Sequence, residues 1–111
     1  MKIEMRHLMD ASVLYPKGKI TIGAGDVSLR AAVDDCLNSG ATQILINMEG
    51  VTTIDSSGVG ELISAYTRTT NHGGKLKLCN IPDKVNDVLT ITQLITVFDV
   101  YEDEMEAVES F

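Results

Sequence analysis

The chain has 111 residues, which suits one domain with a single modest core and is too short for two. Its composition, 44% hydrophobic and 23% charged, is typical of a soluble globular protein. The formal net charge is -7 and no cluster of Lys and Arg occurs, which argues against a nucleic acid as partner, because phosphate backbones are bound by clustered basic side chains.

No segment has the apolar length that a membrane crossing requires. A spanning helix needs about 20 consecutive apolar residues, and the chain has no such run. Residues 1–6 also lack the apolar core of a secretory signal. We therefore expect a cytoplasmic protein that does not insert into membranes.

The residues that most often bind metals or form disulfides are few and scattered. Cys36 lies in a helical pattern and Cys79 in a strand pattern, and two cysteines are too few for a disulfide framework. His7 and His72 lack companion ligands at motif spacing. We predict two buried apolar cysteines, no metal site and no cofactor.

The first third of the chain predicts a hairpin followed by a helix. Residues 3–8 and 12–22 have strand character, and a turn-like cluster at 16–19 interrupts the second segment. Apolar residues then recur at the spacing of an amphipathic helix, at Leu29, Ala32, Val33, Cys36 and Leu37.

Polar residues and glycines mark both ends of this helix. Asp26 or Ser28 is the expected N-cap, and Gly40 is the expected end. Gly23 and Gly25 suggest a dinucleotide-binding loop, but the third glycine of that motif is missing, so we do not predict one.

A strand exit, a polar turn and a helix start follow one another between residues 51 and 60. Residues 44–46 form a short apolar run typical of a buried strand, which residues 47–50 interrupt. Downstream, apolar residues have helical spacing, at Val59, Leu62, Ile63 and Tyr66. Asp55, Ser56 and Ser57 therefore lie where unpaired N–H groups and the helix dipole favour a hydroxyl, a carboxylate or a phosphate. One interpretation is that Asp55 or Ser56 is simply an N-cap, and another is that one serine is a modification site.

The last third alternates strands and helices. Residues 75–79 alternate as a strand with its lysines outward, and Pro82 is expected at the first position of the next helix. Residues 97–101 form the last predicted strand, and residues 102–104 place acid in the first turn of a final helix. We predict one α/β domain over residues 1–111, with a small mixed sheet (an N-terminal antiparallel hairpin plus parallel strands) and helices mainly on one face.

Residues 54–60 (Ile-Asp-Ser-Ser-Gly-Val-Gly), together with Gly73-Gly74 and strand 75–79, resemble the STAS domain of bacterial anti-sigma factor antagonists. The resemblance spans the chain, with counterparts of the family's early strand at 18–21, first helix at 27–39, central strand at 44–51 and final strand and helix at 97–108. It implies the STAS fold.

The resemblance also implies a function. The unphosphorylated protein is expected to bind an anti-sigma factor that is a serine kinase with a histidine-kinase-like ATPase fold, which frees a sigma factor. The family's phosphoacceptor maps to Ser57, and a serine phosphatase would restore binding. The expected partner contacts are Asp55, Ser56, Ser57, Gly58, Gly60 and Glu61, with Gly58 as a point of close backbone approach and Gly60 and Glu61 on the exposed first turn.

The sequence leaves three other functions to weigh: an enzyme, a scaffold or accessory subunit, and a plain helix cap at Ser57. We do not expect an enzyme, because the chain has no Gly-x-Ser-x-Gly elbow around Ser57. STAS domains also occur as scaffold subunits of signalling assemblies and as accessory subunits of lipid-transporting ABC systems. In the third alternative, Ser57 is no more than a helix cap.

The chain departs from the family pattern at one position near the expected phosphoacceptor. The family often has an acid there, at the end of the central strand, where this chain has Asn47.

Overall fold

A computed structural model describes all residues 1–111. Seven strands and four helices follow one another in the order β1 (Ile3–Leu8), β2 (Ala11–Pro16), β3 (Gly18–Ile20), α1 (Gly25–Asn38), β4 (Gln43–Asn47), β5 (Val51–Ile54), α2 (Ser56–Asn71), β6 (Lys75–Cys79), α3 (Asp83–Ile91), β7 (Asp99–Tyr101) and α4 (Glu104–Glu109).

The main sheet has five strands in the order β1-β2-β4-β6-β7. Strands β1 and β2 form an antiparallel hairpin, and every later neighbour pairs in parallel. The predicted mixed sheet is confirmed. Its parallel part follows from the alternation of strands and helices, because parallel neighbours need a crossover between them.

A second, two-stranded sheet was not expected. Strand β3 pairs in parallel with β5. The strand predicted at 12–22 with an interruption at 16–19 and the central strand that the resemblance implies at 44–51 therefore each divide between two sheets. The break between β2 and β3 lies next to the break between β4 and β5, because the N–H of Gly18 donates to the carbonyl of Gly50 at 2.9 Å. Gly18 has φ of +102°, a backbone conformation that favours glycine and breaks a continuous strand.

Helices cover both faces of the main sheet unequally. The larger core cluster joins α1, α2 and α3 to residues such as Ile44, Ile46 and Leu78. Helix α4 packs on the opposite face, where Ala107 and Leu45 belong to a smaller cluster. Successive strand residues point to opposite faces, so the uninterrupted apolar run of β4 reflects cover on both sides. The prediction of helices mainly on one face is confirmed.

The prediction that the side chain of Lys77 points into solvent is wrong. It is only 4% exposed and lies on the side of the sheet that α4 covers. Its Nζ donates to the carbonyl oxygen and the hydroxyl of Ser110 at 2.9 and 2.8 Å. The ammonium also lies 5.2 Å from the ring centre of Tyr101 and 4.8 Å from that of Phe111. A short helix at the end of the chain therefore buries a cation that alternation alone placed outside.

The start of α1 also differs from the prediction. Its N-cap is Ala24, which makes no side-chain capping bond. Asp26 lies inside the first turn instead, where its Oδ1 accepts from the N–H groups of Gly23 at 3.0 Å and Val27 at 2.8 Å. Gly40 follows the end of the helix with φ of +92°, as predicted.

The boundaries near the C-terminus shift by one or two residues. Pro82 is the N-cap of α3 and not its first helical residue, and its extended ψ of 151° leads the chain into the helix. Strand β7 begins at Asp99 and not at residue 97, because residues 95–97 form a turn in which the N–H of Val97 donates to the carbonyl of Leu94 at 3.0 Å. Phe98 is buried, with its ring centre 5.8 Å from that of Tyr66.

Both cysteines are free and buried, as predicted. Burial raises the pKa of the Cys36 thiol, with a smaller contribution from the neighbouring Asp35 carboxylate. Burial is also the main cause that raises the pKa of Cys79 to about 12, followed by the nearby Glu104 carboxylate.

Candidate functional site

Asp55 connects β5 to α2. The strand ends at Ile54 and the helix begins at Ser56, so Asp55 is the N-cap residue, with an extended backbone. Its Oδ1 accepts a hydrogen bond from the N–H of Gly58 at 2.9 Å. This bond satisfies one of the unpaired N–H groups at the helix start and confirms Asp55 as the cap.

The same carboxylate reaches a second segment of the chain. Its Oδ2 accepts from the N–H of Ile22, in the loop between β3 and α1, at 3.0 Å. The hydrogen bonds from Gly58 and then from Ile22 hold the pKa of Asp55 below its usual value, because they stabilise the charged form. Asp55 therefore joins the start of α2 to the β3–α1 loop.

The two serines lie in the first turn of α2. Ser56 is exposed and Ser57 is partly exposed. Because Asp55 caps the helix, the interpretation of Ser57 as the capping residue is wrong. Ser57 is thus placed at the positive end of the helix dipole without a capping duty.

Gly58 is buried against β3. A Cβ added at Gly58 would lie 2.0 Å from the carbonyl oxygen of Ile20, and one added at Gly25 would lie 2.1 Å from that of Lys19. Strand β3 thus touches the first turns of both α1 and α2, and at both places only a glycine fits. The close approach predicted at Gly58 is made within the fold, and Gly25 has a packing reason unrelated to nucleotide binding.

Gly60 and Glu61 differ in exposure. Gly60 is exposed as predicted, but the side chain of Glu61 is only 11% exposed. Its carboxylate pairs with Arg30 of α1 at 3.7 Å and with Arg68 of α2 at 3.3 Å, and Arg68 also bonds Asp34 of α1 at 2.9 Å. Glu61 is therefore part of an ion-pair network that joins the two helices, and the exposure expected for it is wrong.

Comparison with protein families gives one match across almost the whole chain. The model of the STAS domain matches residues 2–107. This chain belongs to the STAS domain family.

Relatives of this STAS domain carry regulatory names. A Thermotoga neapolitana protein, named as a homologue of a candidate anti-sigma factor antagonist, is 28% identical over 90% of this chain and 88% of its own length. The anti-sigma F factor antagonist of Paenibacillus polymyxa is 22% identical over 96% of this chain and 92% of its own length.

Solved structures share the fold of this STAS domain. The crystal structure of a candidate anti-sigma factor antagonist from Thermotoga maritima has a TM-score of 0.88 and 25% identity, covering 97% of this chain and 92% of that one. The Bacillus protein SpoIIAA in its phosphorylated form has a TM-score of 0.73 and 22% identity, covering 98% of both chains. The unphosphorylated form of SpoIIAA scores 0.72 at 19% identity, covering 98% of this chain and 96% of that one.

Asn47 lies on the other side of this STAS domain's sheet from α2. It is 7% exposed, its Nδ2 donates to Glu104 of α4 at 3.1 Å, and its Oδ1 accepts from the N–H of Glu49 at 3.0 Å. An acid here would bring a second carboxylate against Glu104. The side chain of Asn47 therefore faces α4 and not the first turn of α2 that carries Ser57.

Sequence reasoning missed two exposed apolar residues in and after the loop between β3 and α1. Ile22 is 75% exposed and Val27, in the first turn of α1, is 61% exposed. The backbone of Ile22 is held by Asp55, so its side chain stands beside the start of α2. The signal in the sequence that could have identified Ile22 is its apolar side chain in a loop, where neither a helical nor a strand period explains it.

No group of three or more His, Cys, Asp or Glu side chains in the STAS domain is arranged to hold a metal ion. None of its four helices combines the length and the apolar character needed to cross a bilayer.

Proposed function

We propose that this STAS domain is an anti-sigma factor antagonist controlled by phosphorylation of Ser57. Its unphosphorylated form binds an anti-sigma factor that is also a serine kinase with a histidine-kinase-like ATPase fold, and this binding releases a sigma factor. Phosphate on Ser57 ends the interaction, and a serine phosphatase restores it. The names of relatives across nearly the whole chain support the antagonist function.

The position of Ser57 is the observation that carries the switch. Asp55 caps α2, so the fold does not need the Ser57 hydroxyl for that purpose. A phosphate there would add nearly two negative charges beside the Asp55 carboxylate, on a chain whose net charge is already -7. A partner that packs closely over this turn would have to desolvate that charge, which weakens binding without unfolding the domain.

Other residues at this junction have graded roles in the proposal. Ser56 and Gly60 are exposed and offer direct contacts, and Ile22 adds an apolar contact. Gly58 and Asp55 keep the turn in position. Glu61 acts through the alignment of α1 with α2, because its carboxylate is occupied by arginines.

The same proposal assigns the domain no catalytic step of its own and places it in the cytoplasm, where kinase and sigma factor are found. In the alternative function, a scaffold or transporter accessory subunit, partner binding would not depend on the charge at Ser57.

Paired affinity captures from the native bacterium test the proposal. Wild type, Ser57→Asp, Ser57→Ala and Ser56→Asp serve as baits, and mass spectrometry identifies partners and the phosphorylated residue. We expect wild type and Ser57→Ala to retain an ATPase-fold serine kinase, Ser57→Asp to lose it, and phosphate to map to Ser57. Ser56→Asp adds the same charge one residue away and separates a specific effect of Ser57 from a general effect of acidity.

Two results would contradict this function. Recovery of the same transporter subunits or the same large assembly by wild type and Ser57→Asp would support the scaffold instead. Phosphate on Ser56 with none on Ser57 would remove the proposed acceptor.

A further inference from the structure

Strand β1 leaves one edge of the main sheet open. It is the outermost strand, it pairs only with β2, and residues 4–7 are all exposed. An open edge presents a row of main-chain N–H and C=O groups to which another strand can bind.

The register of the hairpin identifies which residues of β1 direct these groups outward. Ile3 stands opposite Pro16, which has no N–H, so this pair is of the non-hydrogen-bonded kind. Hydrogen-bonded and non-hydrogen-bonded pairs alternate along an antiparallel ladder. The main-chain N–H and C=O groups of Met5 and His7 therefore point outward, like those of Ile3. The main-chain groups of Glu4 and Arg6 form hydrogen bonds with β2.

Side chains of opposite charge flank Met5 on β1. Glu4 precedes it by one residue and Arg6 follows it by one. Both side chains stand on the same sheet face as Tyr15, with Glu4 opposite Tyr15 and the Arg6 guanidinium 5.3 Å from its ring centre. A two-fold axis at Met5 would bring each glutamate opposite an arginine.

We propose that β1 pairs with β1 of a second copy of this chain, antiparallel and centred on Met5. In this register Met5 faces its own counterpart and Ile3 faces His7 of the other copy, so the three outward-facing positions exchange about six main-chain hydrogen bonds. Glu4 of each copy faces Arg6 of the other in the closely spaced, non-hydrogen-bonded pairs. The two sheets become one, and the contact is isologous, so it closes at a dimer.

The apolar side of β1 favours the same partner. Met5 is 47% exposed and lies at a groove of about 280 Å³ between the hairpin and α1, lined among others by Ile3, Leu14 and Cys36. The two Met5 side chains would meet at the mouths of two such grooves and cover apolar surface that each copy leaves open. The area is small for a stable complex, so the dimer is weak and depends on concentration.

Other registers are less favourable. A shift that sets Glu4 opposite Glu4 or Arg6 opposite Arg6 places like charges directly across from each other, which destabilises a strand pair. Charge complementarity therefore selects the register as well as the partner.

Sedimentation equilibrium measures the dimer. We expect the wild-type mass to rise from 12.0 kDa toward twice that value as the concentration approaches the millimolar range. Met5→Pro removes an outward N–H without removing a bond to β2, and we expect it to stay monomeric with an unchanged far-ultraviolet spectrum. A wild-type protein that stays monomeric at millimolar concentration overturns the proposal.

Charge exchange gives the matched control. We expect Glu4→Arg alone and Arg6→Glu alone each to raise the dimer Kd about tenfold or more, because each sets like charges opposite one another. An equimolar mixture of the two variants, and the double variant Glu4→Arg/Arg6→Glu, should both dimerise again. A dimer that ignores these changes lies on another surface, and that result also overturns the proposal.

Discussion

The N–H of Ile22 donates to Oδ2 of Asp55 at 3.0 Å, although the two residues lie 33 positions apart in the chain. The other oxygen of the same carboxylate caps α2 through Gly58. One side chain thus sets the position of the first turn that carries Ser57 and of the loop that carries the exposed Ile22. A substitution at Asp55 is therefore expected to disturb two sides of the proposed binding surface at once.

Substitutions at Asp55 should separate its two hydrogen bonds. Asp55→Asn keeps an acceptor for Gly58 but cannot offer a second carboxylate oxygen to Ile22, and Asp55→Ala loses both bonds. At neutral pH we expect the thermal midpoint to fall by a few degrees in Asp55→Ala and by less in Asp55→Asn. Equal midpoints for wild type and Asp55→Ala would show that neither bond contributes to stability.

The advantage of wild type over Asp55→Asn should depend on pH. The pKa of Asp55 is lowered from 3.8 in the folded state, so the unfolded chain takes up a proton first. The stability that this carboxylate contributes is present above pH 3.8 and is lost as the pH falls through the lower, folded-state pKa. Denaturant titrations of both proteins from neutral pH downward should show the difference between them shrinking in acid. A constant difference would contradict this assignment.

Gly58→Ala and Gly60→Ala form a matched pair. The methyl group at Gly58 would meet the carbonyl of Ile20 at 2.0 Å, whereas at Gly60 it would meet nothing within 4 Å. We expect Gly58→Ala to lower the free energy of unfolding by about 1–3 kcal/mol through overpacking. We expect Gly60→Ala to raise it by about 0.5–1 kcal/mol, since alanine favours a helix interior over glycine. Urea denaturation of both variants measures the two signs, and a shared sign would contradict the close packing of α2 on β3.

Lys77 should stabilise the C-terminal helix. Its ammonium holds two oxygens of Ser110, so Lys77→Ala removes hydrogen bonds from a charged group and we expect a loss of about 2–3 kcal/mol. Lys77→Met should lose less, because its unbranched side chain still fills the space beneath α4. Hydrogen exchange should accelerate in α4 before the rest of the sheet. Uniform acceleration across the chain would show that Lys77 does not act on α4 locally.

Stability should fall as the pH rises from 9 to 12. In the folded state the pKa of Cys79 rises from 9.0 to about 12 and that of Tyr15 from 10.0 to about 12, both mainly through burial. Both groups therefore contribute stability that is complete below their unfolded-state pKa values and is lost as the pH rises through the folded-state values. Tyr15→Phe should flatten the upper part of this decline in denaturant titrations. An unchanged slope would exclude Tyr15 as a contributor.

Local patterns predicted most of the secondary structure and the polar junction between β5 and α2. Helical spacing identified α1, α2 and α3, and the polar turn between an apolar strand and an amphipathic helix located Asp55 and Ser57. These features depend on neighbours within one or two helical turns, so their information lies in the spacing of residues along the chain.

Contacts between distant segments decided the rest. Spacing did not show that β3 pairs with β5, that Glu61 is held by Arg30 and Arg68, or that α4 buries Lys77. Each outcome depends on which elements meet after folding. A period reports which face of an element is apolar and cannot report which polar side chain another element will cover.

The sequence by itself determined a mixed α/β domain of the STAS family, with a capped helix start that presents Ser57. Only the tertiary structure decided that Asp55 is shared between that helix and the Ile22 loop, that Gly58 serves packing, and that Asn47 faces α4. The physical reason is the range of the interactions, since caps and periods act between near neighbours whereas packing and ion pairs join residues that only the fold brings together.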